Sequence, residues 1–236
     1  MVLGKFMSKN HNIVSKTVYF SLLVQIITTV VSLKGITYNL KENDNILKEI
    51  LILETVVQFV EACFYVWVIF ALSNLKTMSS RRYYDWFITT PIMLYTTIIF
   101  MQYQKNKENN INKKITLTNF NKENAKNIII IFLSNLIMLA FGLMSETKYM
   151  KTKYAVPLGT IFFIISFGYI YQNYAKYTLI GKYLFYFLLI VWGLYAVAAL
   201  LNNVTKNTMY NCLDIVSKNF YGLFLFYYIY LISKNN

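Results

Sequence analysis

The sequence predicts an all-α membrane protein, a seven-transmembrane helix bundle, and three observations carry that expectation. Of its 236 residues 57% are hydrophobic and 18% aromatic, with only two prolines, a balance too apolar for a soluble domain of this size. Seven runs of predominantly apolar residues recur along the chain, roughly 13–33, 46–72, 79–101, 125–145, 154–171, 183–201 and 208–232. Each approaches the 20 or so residues that cross a hydrocarbon core of about 30 Å. Charged residues fall mainly between the runs, so residues 1–236 read as one domain.

Span one places Ser21, Gln25, Thr28 and Ser32 at i, i+4, i+7 and i+11. Span two repeats the rhythm with Glu54, Gln58, Glu61 and Tyr65, so both spans turn a polar stripe to the bundle interior. From the helical rise, Ser21 and Glu61 are expected in one layer, with Asn219 of span seven in reach. Interhelical hydrogen bonds worth about 0.6 kcal/mol each explain Ser21 and Gln25 as well as transport does. They do not explain Glu54 and Glu61, because a charge at the bilayer centre costs about 2.5–3.5 kcal/mol.

Span three opens Arg81-Arg82-Tyr83-Tyr84-Asp85-Trp86-Phe87-Ile88-Thr89-Thr90-Pro91. Steps of three and four bring Arg82, Asp85, Trp86, Thr89, Met93 and Thr96 onto one face. Span four carries Met138 and Gly142, span five is assigned on hydropathy alone, and span six carries Trp192 and Tyr195. Span seven holds Lys218 mid-way along an apolar run, with Asp214 one turn before it. An intramembrane lysine is by default a functional-site hypothesis.

The net charge of +13 invites a nucleic-acid reading. Basic residues sit almost wholly in the connections, however, where they anchor helix ends and meet anionic headgroups. Membrane lipid, and no nucleic acid, is the expected partner. Residues 102–127, with Lys105, Lys107, Lys113, Lys114, Lys122 and Lys126, read as a polar Asn/Lys-rich connection. No cleavable signal peptide is expected, since Met1–Asn12 lacks an apolar stretch ahead of the first span. Cys63 and Cys212 fall inside spans, where packing is expected rather than a disulfide. With His11 the only histidine and no ligand cluster, no metal site is expected.

Taken together these motifs resemble the microbial (type I) rhodopsins, over the whole chain and in order. Arg82-x-x-Asp85-Trp86-x-x-Thr89-Thr90-Pro91 is similar to the family's third-helix signature, and Asp214-x-x-x-Lys218 to its counter-ion and retinal-attachment lysine. The resemblance implies all-trans retinal bound as a protonated Schiff base on Lys218, in a bundle with retinal at its core. It implies Asp85 and Asp214 as the counter-ion, Arg82 balancing the second negative charge, and Thr89 hydrogen-bonded to Asp85. Trp86, Thr90, Met138, Gly142, Trp192 and Tyr195 are implied as the chromophore slot. Carboxylates beside the nitrogen stabilise its charged form, and rigid aromatic walls restrict which bond can turn. A lone Asp–Lys pair or a single Trp could be structural; the full set at the matching helices is specific.

Family members divide into pumps, sensors and channels. Pumps generally carry a carboxylic proton donor at the position of Thr96 and a proline at that of Ala196, and the family's second wall tryptophan corresponds to Ala199. Ser21, Glu54, Glu61 and Asn219 resemble the ion pathway of channelrhodopsins, although the Cys–Asp pair of algal channels corresponds to Thr90 and Asn135. The Asn/Lys/Ile/Tyr-rich composition looks most like the viral rhodopsins of giant viruses. The expected function is therefore a light-gated cation channel, not an enzyme, passing monovalent cations or protons. A light-driven outward proton pump and a photosensory protein stay open as alternatives, as does homo-oligomerisation. The implied location is multi-pass in a membrane, the host cell's if the chain is viral, with the N-terminus outside and the C-terminus cytoplasmic.

Overall fold

The structure, a computed structural model, describes residues 2–70, 72–111 and 114–234. Seven helical rods cross the molecule: α1 (Val2–Ile36), α2 (Asn45–Ile69), α3 (Leu75–Glu108), α4 (Leu117–Glu146), α5 (Thr152–Asn173), α6 (Leu179–Ala199), and a last rod made of α7 (Asn203–Asp214), a π-helical turn (Ile215–Asn219) and α8 (Phe220–Lys234). Among the described residues there is no strand. The all-α expectation holds.

Polar side chains cap several rods at their starts. Thr116 Oγ1 accepts from the Asn119 amide, Thr178 Oγ1 from the Gly181 amide, and Asn202 Oδ1 from the amides of Val204 and Thr205. The caps place helix ends beyond the apolar runs. α3 continues to Glu108 and α4 begins at Leu117, so the connection expected over 102–127 shrinks and Lys105, Lys107, Lys122 and Lys126 lie on helices. Hydropathy detects only the hydrocarbon thickness, whereas backbone hydrogen bonding carries a helix on into the headgroups. Lys113 lies outside the described residues.

Six rods are long and apolar enough by themselves to cross a membrane; α3 is not. The reason is burial, for α3 turns Arg82, Asp85, Thr89, Thr90, Thr96 and Thr97 into the bundle. Outward faces are apolar instead: Val30, Ile129, Ile164 and Ile190 are each 62% exposed, as suits contact with lipid. Cys63 and Cys212 are free but sit exposed on this surface, so the packing role expected inside the bundle does not hold. A span has two faces, and both cysteines fall on the outer one.

α1 packs on α2 and the last rod, α3 on α2 and α4, and α6 on α5 and the last rod. At one end Lys206 Nζ donates to both carboxylate oxygens of Glu146 at 2.7 and 2.8 Å, joining α7 to α4. At the other end Tyr103 OH donates to Asp44 Oδ1 at 2.5 Å, over a core that includes Ile98, Phe100, Leu225 and Ile229. The polar site lies between these closed ends.

Candidate functional site

Lys218 lies within the π-helical turn, an irregularity found frequently at functional sites because it re-aims side chains within a helix. It is 2% exposed, and its Nζ donates to Asp85 Oδ2 at 2.6 Å. Glu61 Oε1 stands 3.1 Å away and Asp214 Oδ1 3.7 Å. Three carboxyls from three rods thus converge on one ammonium. Removed from water, such a charge persists only with partners of this kind.

The two aspartates are not equivalent. Asp214 accepts hydrogen bonds from Tyr65 at 2.7 Å, Arg82 Nη1 at 2.9 Å and Tyr195 at 2.8 Å. Arg82 also donates to Tyr65 OH and to Asn211 Oδ1, so it holds Asp214 as expected. Asp85 gives one oxygen to Lys218, and its Oδ1 has no partner. Thr89 does not bond the Asp85 side chain; its hydroxyl donates to the Asp85 main-chain carbonyl at 3.0 Å. A helical threonine finds the carbonyl four residues back within reach of its own rotamer.

Beside Lys218 runs an apolar cavity of about 210 Å³. Trp86, Thr90, Met138, Gly142, Trp192 and Tyr195 all line it, as expected, and Lys218 closes one end. Trp86 meets Tyr195 edge-on at 5.3 Å and Tyr210 at 5.1 Å, which locks the slot through aromatic packing. Gly142 is required by the wall: a Cβ there would lie 2.5 Å from the Tyr83 hydroxyl. Ala196 and Ala199 also face the cavity, widening it where bulkier groups would fill it. An amine at the end of a slot this apolar can hold a long carbonyl compound covalently, and the residues fit the polyene aldehyde that the sequence implies.

Tyr83, Tyr210 and Asn211 escaped the sequence reading. A signal existed for Asn211, since Asn207, Asn211, Asp214 and Lys218 recur at i, i+4, i+7 and i+11 and all are buried. Tyr83 and Tyr210 read as ordinary span aromatics.

The polar stripes of α1 and α2 do face the interior, each residue almost wholly buried. Ser21, Glu61 and Asn219, expected in one layer, are each hydrogen-bonded or paired with other residues. Ser21 donates to the Asn211 carbonyl at 2.7 Å, whereas Asn219 Oδ1 accepts from Thr28 at 2.5 Å. Ser21 and Thr28 are seven residues apart, about 10 Å along the axis, and Glu61 is drawn to Lys218. Between and beyond these contacts, Gln25, Ser32, Gln58, Glu54 Oε2 and Asn219 Nδ2 are buried without partners. Glu54 lies deeper, with its Oε1 in contact with Thr96 Oγ1. Asn135 Nδ2 donates to Thr90 Oγ1 at 2.8 Å, tying α4 to α3.

A family model described as bacteriorhodopsin-like protein matches residues 16–232. No curated protein matches by sequence. Among solved structures, the viral rhodopsin OLPVRII aligns at TM-score 0.80 and 25% identity, over 93% of this chain and 98% of that one. A blue light-absorbing proteorhodopsin from Med12 aligns at 0.73 and 16%, over 94% and 99%. Bromide-bound halorhodopsin from Halobacterium salinarum aligns at 0.70 and 12%, over 97% of each.

Proposed function

The chain belongs to the bacteriorhodopsin-like family, the microbial rhodopsins, and from that premise we propose that it is a light-gated cation channel carrying all-trans retinal on Lys218. Members of the family are light-driven ion transporters and sensors of the membrane. Retinal supplies a light-driven change of shape and charge at the end that Lys218 holds. The residues around it do the rest. Asp85, 2.6 Å from Nζ, is the acceptor placed to take the nitrogen's proton. Asp214 is fixed by Arg82, Tyr65 and Tyr195 and keeps the geometry of the site steady.

The observation that carries the channel reading is the file of buried, unpartnered polar atoms on α1, α2 and the last rod, on Gln25, Ser32, Gln58, Glu54 and Asn219. In hydrocarbon each unsatisfied group costs several kcal/mol, so a file of this kind belongs to a path that water enters. Carboxyl and amide oxygens along it can replace part of a cation's hydration shell and repel anions. Glu61 joins path to light, because it is also a partner of Lys218. When the nitrogen loses its charge, Glu61 loses that partner and the contact of α2 with the π turn weakens.

A proton pump is the second reading, and one observation favours it. Thr96 occupies the position where a pump's carboxyl is expected, but Glu54 of α2 reaches the same place. Voltage clamp separates the two. A channel gives a light-dependent current whose reversal potential follows the cation gradient, and Glu61→Gln changes its size or selectivity and, because Glu61 also faces Lys218, moves the visible band as well. A current that stays outward at every voltage and ignores Glu61 would assign the chain to the pumps.

A further inference from the structure

Glu54 is fully buried, about 10 Å along α2 from Glu61. Among the described residues its hydrogen-bond partner is Thr96 Oγ1, which also lies 2.9 Å from the Met93 carbonyl. A hydroxyl has one proton and a carbonyl only accepts. When that one proton goes to the Met93 carbonyl, the contact with Glu54 is a hydrogen bond only if Glu54 carries a proton and donates it to Thr96. The charges agree: Lys218 and Arg82 face Asp85, Asp214 and Glu61 at the site, so the cations there are already outnumbered. A further buried carboxylate, with Oε2 bare, would cost several kcal/mol. The titratable groups facing Glu54 from other elements are Tyr221 of α8 and Lys218 of the π turn; none supplies a spare positive charge.

We propose that Glu54 is held as a neutral acid in the dark and is the group that returns a proton to Lys218 Nζ after illumination, standing on α2 where a donor is expected on α3. The proposal rests on retinal being carried by Lys218, and it holds whether the chain conducts cations or pumps protons. In the step, the O–H bond of Glu54 breaks and an N–H bond forms at Nζ. The carboxylate left at position 54 is then reprotonated from the aqueous phase at the Tyr103 end. Two groups with unpartnered amide atoms, Gln58 one turn from Glu54 and Asn219 next to Lys218, span the gap. Gln58 is packed so closely on the last rod that a Cβ at Gly222 would meet its Nε2 at 2.0 Å.

Infrared spectroscopy of the dark protein tests the first half. The carbonyl stretch of a protonated carboxylic acid should be present, should vanish in Glu54→Gln, and should shift in Thr96→Val, which keeps the acid but removes its acceptor. Flash photolysis tests the second half: Glu54→Gln should slow recovery of the visible band by roughly a hundredfold, the range of a lost general acid, and Glu54→Asp should restore much of the rate. A dark spectrum unaltered by Glu54→Gln, or recovery at the unsubstituted rate, overturns the proposal. If Glu54→Gln does not fold, ¹³C-carboxyl labelling of glutamate in the unsubstituted protein and in Thr96→Val reads the same acid, and the absence of any protonated signal that moves with Thr96 overturns it equally. A protein that forms no visible band with retinal refutes instead the assignment of Lys218, and a current that never reverses refutes the channel; the dark carbonyl signal is read independently of both.

Discussion

Lys218 is the residue on which the proposed chemistry turns, and among the described residues the other lysine with a buried side chain, Lys206, is engaged by Glu146 at the end of the bundle. Lys218→Ala should therefore abolish covalent retinal binding, which reconstitution with all-trans retinal and the absence of a hydroxylamine-sensitive visible band will show; a persisting band would reassign the attachment site. The aspartates should separate in the same assay. Asp85 lies nearest to Nζ and shares it with no strong donor, so Asp85→Asn removes the negative charge that most stabilises positive charge on the nitrogen in the ground state. Absorption should move to the red, and the nitrogen should lose its proton at lower pH. Asp214→Asn should disturb both quantities less. The opposite order in a spectroscopic titration would exchange the two roles.

Among the elements, α3 and the last rod are joined by the buried pair Arg82–Asp214, both side chains 1% exposed. Breaking such a pair strands a charge away from water. Arg82→Gln should cost about 3–5 kcal/mol, visible as an earlier thermal transition, whereas Arg82→Lys should recover part of it, since a lysine keeps the charge without the fork that also reaches Tyr65 and Asn211. The π turn explains why the last rod needs these ties. It gives up regular ladder hydrogen bonds around Lys218, and side chains from α2, α3 and α6 hold the irregular stretch through Tyr65, Arg82 and Tyr195.

At the scale of the whole molecule, the cavity of about 210 Å³ runs between α3, α4, α5, α6 and the last rod, so a group bound in it contacts five rods at once. A ligand that binds only the folded bundle stabilises it by mass action. Removing retinal by hydroxylamine should lower the thermal midpoint, with a loss on the order of 3 kcal/mol. An unchanged midpoint in scanning calorimetry would mean that the bundle closes without the group and that the slot is not its site.

The sequence by itself determined the all-α membrane class, the helical rods and the set of charged and aromatic residues that lie within them. Apolar length is set by the bilayer, and Lys218, Asp214, Asp85 and Trp86 stand out because charge and aromatic groups are costly or distinctive there. It determined less about partners, because a helical period fixes which face a residue occupies and not what it meets. Tertiary structure decided that Glu61 stands 3.1 Å from Lys218 while Ser21 bonds the Asn211 carbonyl, that Thr89 bonds main chain, and that Glu54 of a neighbouring rod meets Thr96. These outcomes depend on the axial offset and rotation of rods distant in sequence, which packing sets to within a few ångströms and which no single helix encodes.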